Sequence, residues 1–496
     1  MGRQDPGSGT HGTGCGCLGS IGSVPADPVP GSSVRATGPT RSPAARASGR
    51  GLGRGPATTA LPRDVSLARI VAHGLVPATA APTPTEAVRR QLGIQGQQVN
   101  AVPHALVVRT AGSTPSTAPG TTAVDAAFER GELVRSWPMR GTVHITTAAD
   151  HHWLRASLMH RMDSWVRASR SSFGVDDAML DQAADLALAL IAERGPLTRT
   201  ELLDAWSEAG LMTHFQGVDV SSYRRRHLLV HLQRLGILVQ GPRRGNEHLV
   251  TDARSLPAAS TGPGGTGEGR HGTDGHRAAL AEIARRYATS HGPVSVDDLA
   301  RWTTLPKREA AQALEDAVEL TTAADYPADP ARCEVPLARA VATGGPRGSL
   351  TLRHGAGAAA TRAGGTSRSG DTLLYLRADL LDLLESSRRA AAGTHFLGSF
   401  DELHVGYKDR TCLTDDAGER LICPAMNGMF RPLLVDRGRL VAVRPVGEGL
   451  IWADWVTRSP ARAGAGDEDA SHGGPSARLE RDVRRAVARV TTRLAR

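Results

Sequence analysis

Leu197-Thr198-Arg199-Thr200-Glu201-Leu202, Ser221-Ser222-Tyr223-Arg224-Arg225-Arg226-His227-Leu228 and Gly241-Pro242-Arg243-Arg244-Gly245-Asn246 are the pieces of chain that decide the fold. Thr198 with an acid three residues on is a capping box, so a helix starts there and carries Leu202, Leu203 and Trp206. A helix over Leu186 to Arg194 precedes it. A third helix is predicted over Ser221 to Leu235, with Leu228, Leu232 and Leu235 as its buried stripe. That leaves Tyr223, Arg224, Arg226, His227, His231 and Arg234 largely outside the stripe. Ile237-Leu238-Val239 and His248-Leu249-Val250 then read as strands flanking a basic turn. Three helices followed by a β-hairpin is the order of a winged helix-turn-helix.

This arrangement suits a duplex. The third helix can enter a major groove, where arginine forks match phosphates or guanine edges, and a hairpin tip bearing Arg243 and Arg244 can lie along a phosphate strand. A solvated charged face is the ordinary alternative. Against it, the charge concentrates on the one helix and the one hairpin that such a fold presents.

Outward from this unit the design recurs. Val294-Ser295-Val296-Asp297-Asp298-Leu299 repeats the Gly-Pro turn, apolar residue, hydroxyl cap and acid of Leu197-Thr198-Arg199-Thr200-Glu201-Leu202. Upstream, Thr83-Pro84-Thr85-Glu86 starts a helix that stops near Gly93, and Ile94-Gln95-Gly96-Gln97-Gln98 follows. Met139-Arg140-Gly141-Thr142-Val143-His144-Ile145 reads as one strand with Arg140, Thr142 and His144 on one face. Thr147 caps the next helix. Downstream, turns at Asn427-Gly428 and Asp436-Arg437-Gly438 predict hairpins.

The expected organisation is therefore a low-complexity tail over residues 1–63, a first module over 64–180 and a second over 181–255. A linker over 256–275 and a third module over 276–458, with 344–370 flexible, follow. The last part, 459–496, is a tail ending in a basic amphipathic helix. The fold class is α+β, mainly helical: about three tandem winged helix-turn-helix modules around a basic cleft.

Over 496 residues the formal charge is +9, which favours a polyanionic partner. The five cysteines form no Cys-x-x-Cys pair, so a disulfide framework is not expected. His404, Cys412 and Cys423 read as core residues rather than metal ligands, and no metal or other cofactor is expected. No apolar run reaches the roughly 20 residues of a membrane span, and the N-terminus has no signal-peptide core. The expectation is a monomer in the cytoplasm, associated with the nucleoid.

Four stretches carry a family resemblance: Gln95-Gly96-Gln97, Met139-Arg140-Gly141-Thr142-Val143-His144, Ser290-His291-Gly292-Pro293, and Phe400-Asp401-Glu402 with Gly406-Tyr407-Lys408-Asp409-Arg410 and Asn427-Gly428-Met429-Phe430-Arg431-Pro432. In this order they resemble the AlkZ-like winged-helix DNA-binding family over residues 65–456. The resemblance implies a DNA glycosylase for alkylated purines or interstrand crosslinks, with double-stranded, lesion-containing DNA as partner. It implies Gln95 and Gln97 as the catalytic pair. Two departures stand out: Gly96 replaces a larger apolar residue or Ala, with Gln98 following where Asp is usual, and Val443-Arg444-Pro445 replaces a Gly-x-Trp strand end.

Two amides suffice for such chemistry when the base is already cationic, because it leaves as a neutral molecule and needs little acid help. What remains is to hold a water under the anomeric carbon, and a glutamine carbonyl can accept from that water. Capping of the preceding helix, or satisfying buried backbone groups, is the structural alternative for both glutamines. Expected DNA contacts are Arg140, His144, Tyr223, Arg224, Arg226, Arg243, Arg244, Lys408 and Arg410, though a buried, hydrogen-bonded role suits His144 at least as well, and locking of the last module suits Tyr407, Lys408 and Arg410 better. The rival function is a winged-helix DNA binder or transcriptional regulator without enzymatic activity.

Overall fold

The structure, a computed structural model, describes residues 60–112, 117–259, 273–330, 333–344, 348–353, 371–457 and 474–496. The tail up to residue 59, most of the expected linker, residues 354–370 and residues 458–473 lie outside that range.

Local signals place the helices. α1 (Arg63–Ala72) is followed by α2 (Pro84–Gln91), where Thr83 accepts the Glu86 N–H and Pro84 occupies the first helical position. A short strand β1 (Ile94–Gln95) leads to α3 (Ala101–Val107) and α4 (Thr121–Glu129). The expected single strand over 139–145 is instead the turn of a hairpin between β2 (Leu133–Met139) and β3 (Thr142–Thr147). Arg140 and Gly141 sit at φ 57° and 67°, the left-handed pair that a two-residue hairpin turn requires. Arg140 therefore lies in a turn and does not share a strand face with Thr142 and His144.

Thr147 caps α5 (Ala148–Leu158) through the Asp150 N–H, and α6 (Asp163–Phe173) and α7 (Asp177–Arg194) follow. The Thr198–Glu201 capping box opens α8 (Arg199–Glu208). The hairpin β4 (His214–Phe215) and β5 (Val218–Asp219), which no sequence signal marked, precedes α9 (Ser221–Leu235). β6 (Leu238–Arg244) and β7 (Glu247–Asp252) form the basic hairpin.

That hairpin does not stay within its own unit. It joins a five-stranded sheet of order β1-β3-β2-β6-β7, with Arg135 paired to Gln240. The boundary expected at 180/181 is thus crossed by a sheet, because β2 offers an edge to which β6 bonds.

In the next part, Ser295 and Asp298 form the second capping box. α10 (Thr273–His291), α11 (Val296–Thr303) and α12 (Lys307–Thr322) stand beside β8 (Leu337–Thr343), β9 (Leu350–Leu352) and β10 (Asp371–Arg377), a three-stranded sheet of order β10-β8-β9. After α13 (Leu380–Ala391), β11 (Thr394–Leu397), α14 (Glu402–Val405), α15 (Asp416–Ile422), β12 (Leu433–Asp436), β13 (Arg439–Val443) and β14 (Ile451–Trp452) complete a four-stranded sheet of order β11-β12-β13-β14. Arg437 and Gly438 make the expected tight turn between β12 and β13. The Asn427-Gly428 turn joins a helix to a strand instead of two strands.

The two ends of the described chain close the fold. α1 packs Val65, Leu67 and Ile70 into a core with Leu374, Leu380, Leu384, Leu433 and Leu440, so it belongs with the last part of the chain and not with the first module. After α16 (Asp454–Thr457), the terminal helix α17 (Ala477–Leu494) buries Leu479, Val483, Ala486 and Val490 on the four-stranded sheet. Its end reaches back: Arg493 donates to the Thr110 carbonyl at 3.0 Å.

Candidate active site

β1 is two residues long and lies at the edge of the five-stranded sheet. Ile94 is fully buried in one core with Ile145, and a Cβ on Gly96 would stand 2.9 Å from Ile145 Cδ1. Strand alternation turns Gly93 and Gln95 the other way, where a Cβ on Gly93 would meet Met139, His144 and Trp302. Gln97 begins the turn into α3. Both glutamines are half-buried. Among the described residues neither side-chain amide has a hydrogen-bond partner, and Gln97 Oε1 is buried as well. The helix-capping role is therefore not the one they play.

The backbone that carries them is held on both sides. The Gly96 N–H donates to the Val143 carbonyl at 2.8 Å, and Arg135 Nε donates to the Gly96 carbonyl at 2.9 Å. Arg135 also pairs with Gln240, and burial lowers its pKa to about 10. The Gln95 N–H donates to Glu402 Oε1 at 2.9 Å across 307 positions of sequence.

Glu402 is 0% exposed. Its Oε2 accepts from Trp302 Nε1 at 3.3 Å and faces His291 Nε2 at 3.5 Å, while Arg140 stands 4.0 Å from Oε1. Burial alone raises a carboxyl pKa, but His291, Arg140 and His144 outweigh it and hold Glu402 at about 2. Behind this cluster Arg109 and Asp401 form a buried two-pronged pair, both bonds 2.8 Å. Tyr407 donates its hydroxyl to the His291 carbonyl at 2.7 Å. A cavity lined by His73, Gln91, Arg109 and Thr289 lies nearby, and neither glutamine lines it.

The expected DNA contacts divide sharply. Arg140 and His144 do gather beside Gln95, but His144 is 0% exposed and faces no solvent. Its Nδ1 donates to the Thr142 carbonyl at 2.9 Å, so its Nε2 carries the lone pair that accepts from Arg140 at 2.9 Å. Burial, then Arg140, pushes its pKa down to about 3, so His144 is a neutral fixture of the site and not a cation for phosphate. Arg140 is nearly buried, spent on His144 and Glu402.

Arg224 is likewise corrected. It is buried, and its guanidinium donates to the carbonyls of Phe173, Leu211 and Gly174. His231 and Arg234 are buried too. A helical wheel built on leucines alone missed this because α6 and α7 cover a second face of α9. Tyr223 stacks between Phe173 and His227 at 3.5 and 4.2 Å. Arg243 forms a two-pronged pair with Asp125 of α4, and Arg410 pairs with Glu419 at 3.1 Å, so both lock elements together. Arg226, Arg244 and Lys408 remain exposed. Cys412 and Cys423 are buried in the core as expected.

Sequence reasoning assigned no role to Glu402, Arg135, Trp302 or His291. Only the acidic pair Asp401-Glu402 inside an apolar stretch, Phe400 to Val405, hinted at buried carboxylates.

Gly96 does not adopt a left-handed conformation; it is small because Ile145 fills the space. Gly96→Ala is expected to lower stability by about 1 kcal/mol, the low end for overpacking. Adding Ile145→Val should recover most of the loss. Urea midpoints check this, and a double variant no better than the single one contradicts the fit.

The family profile described as DNA glycosylase AlkZ-like matches residues 88–347, just over half of the chain. The chain belongs to the AlkZ-like DNA glycosylase family. The interstrand DNA cross-link repair glycosylase of Streptomyces sahachiroi is 27% identical over 229 residues, 45% of this chain and 56% of that protein. The chain thus spans about half the length of this curated relative. The solved structure of Streptomyces sahachiroi DNA glycosylase AlkZ matches with a TM-score of 0.52 at 19% identity, over 87% of this chain and 96% of that one. At that identity the likeness is one of fold. Among the described residues no helix is long and apolar enough to cross a membrane.

Proposed function

We propose that this chain is a monofunctional DNA glycosylase. It hydrolyses the N-glycosidic bond of N7- or N3-alkylated purines, or unhooks crosslinks made at those positions, with Gln95 and Gln97 holding the water. It works as a monomer on double-stranded DNA at the cytoplasmic nucleoid. The scaffold is a set of tandem winged-helix modules, and Arg226, Arg244 and Lys408, all exposed, supply phosphate contacts.

The observation that carries this reading is the pair of unpartnered amides, Gln95 on a firmly held edge strand and Gln97 in the turn that follows it, the latter with its carbonyl oxygen buried. A buried polar atom without a partner costs about 1–3 kcal/mol. Such a cost is understandable where a substrate or its water completes the bond.

The chemistry follows from the residues. Alkylation gives the purine its positive charge, so the base departs neutral and the sugar becomes cationic. Water adds at the anomeric carbon and its proton passes to solvent, since an amide is too weak a base to keep it. Positioning is the contribution of the two glutamines. A site of this kind selects charged lesions by chemistry, because an undamaged purine would leave as an anion that nothing here neutralises.

The test is release of free base from duplex containing N7-methylguanine, under single turnover. Gln95→Ala and Gln97→Ala are each expected to slow release about 100-fold through lost positioning, with duplex affinity unchanged. Tight duplex binding by the unaltered protein with no released base would move the assignment to the non-enzymatic DNA binder.

A further inference from the structure

We propose that Glu402 is the positioning residue for Gln95, holding the peptide that aims its side chain. This rests on the reading of Gln95 as part of the base-releasing site.

Gly96 donates its N–H to Val143 of β3, so by alternation the Gln95 N–H turns away from the sheet. An outward N–H on an edge strand ordinarily meets water or another strand. Here it meets a carboxylate at 2.9 Å. A charged acceptor makes a bond roughly twice as strong as a neutral one. Because Glu402 is wholly buried, it cannot touch a substrate and acts only through the backbone it holds.

The carboxylate is itself fixed. Asp401 caps α14 by accepting the Leu403 N–H at 2.9 Å and is gripped by Arg109, which sets where the next side chain starts. Trp302 binds the second oxygen, and Arg140 supplies compensating charge. With Arg135 on the Gly96 carbonyl, charged groups on both sides grip the peptide units flanking Gln95 and Gly96. An edge strand two residues long has little sheet to steady it, so these grips decide where the amide points.

The experiment compares Glu402→Ala with Glu402→Gln, whose carbonyl oxygen can still accept the Gln95 N–H. Three quantities are measured on the full chain: single-turnover release from N7-methylguanine duplex, equilibrium binding of that duplex, and deuterium uptake by the peptide covering residues 92–98. Glu402→Ala should release base about 10-fold more slowly or worse through lost positioning, bind duplex within about twofold of normal, and exchange faster over 92–98. Glu402→Gln should restore the protection and most of the rate. A folded Glu402→Ala protein with unaltered uptake or unaltered rate overturns the proposal. Should that variant not fold, Trp302→Phe, which frees one carboxylate oxygen, must show faster uptake at 92–98; unchanged uptake overturns it equally. If the unaltered protein releases no base, the glycosylase reading fails, while the uptake comparison still decides whether Glu402 holds this strand.

Discussion

Asp401→Ala is expected to destabilise the protein by about 3–5 kcal/mol, the loss that follows when one partner of a buried ion pair is removed. Asp401 and Arg109 are 0% and 1% exposed, joined by two bonds of 2.8 Å. Without the carboxylate, the buried guanidinium keeps its charge without its partner. Asp401 and Glu402 together outweigh the burial that would otherwise lower the pKa of Arg109. Asp401 also caps α14, adding to the loss. The urea midpoint measures the effect. Asp401→Asn with Arg109→Met keeps a capping oxygen and removes the stranded charge, so this double variant should lose clearly less than Asp401→Ala. A double variant that loses as much would show that the stranded charge is not the cause.

The second large effect is acid sensitivity. His144, His151 and His248 are buried, and burial first, then neighbouring cations or histidines, pushes each pKa to about 3 from 6.5. The folded protein holds these rings neutral, whereas the unfolded chain protonates them below pH 6.5. The unfolded state therefore binds more protons, and stability falls as pH drops from 6.5 towards 3. Each ring costs about 1.4 kcal/mol by pH 5.5, so the three together remove about 4 kcal/mol. Glu402 contributes in a lower window: its carboxylate is held at about 2, so its share is present above pH 4.5 and is lost as pH falls through 2. Against a typical total of about 5–15 kcal/mol, the protein should unfold cooperatively near pH 5. Urea midpoints at pH 7.5, 6.5 and 5.5 decide it; a difference under about 1 kcal/mol across that range would contradict neutral burial of the three rings.

Much of the fold was legible because its signals are local. The caps at Thr83, Thr147, Thr198 and Ser295 each satisfy a backbone N–H within three residues, and each helix begins where its cap says. The Arg437-Gly438 turn is equally local. What misled was single-face logic. Arg224, His231 and Arg234 read as surface because three leucines marked one stripe, yet α9 is covered on a second side by elements that no residue of α9 announces, and Leu235 of the expected stripe is 46% exposed. Arg140 read as a strand residue because a left-handed turn at a non-glycine leaves no mark in an alternating pattern.

Spacing and capping act over a few residues, so the chain alone told where most helices begin and that Gln95 lies in a short extended stretch; that the stretch ends before Gln97 was not legible in it. Only tertiary structure decided what surrounds that segment. Glu402 reaches Gln95 across 307 positions, Arg135 is tied to β6 through Gln240, and α1 packs with the last third of the chain. The physical reason is that a buried charge finds its partner by solvation energy in three dimensions, and solvation energy leaves no period along a chain.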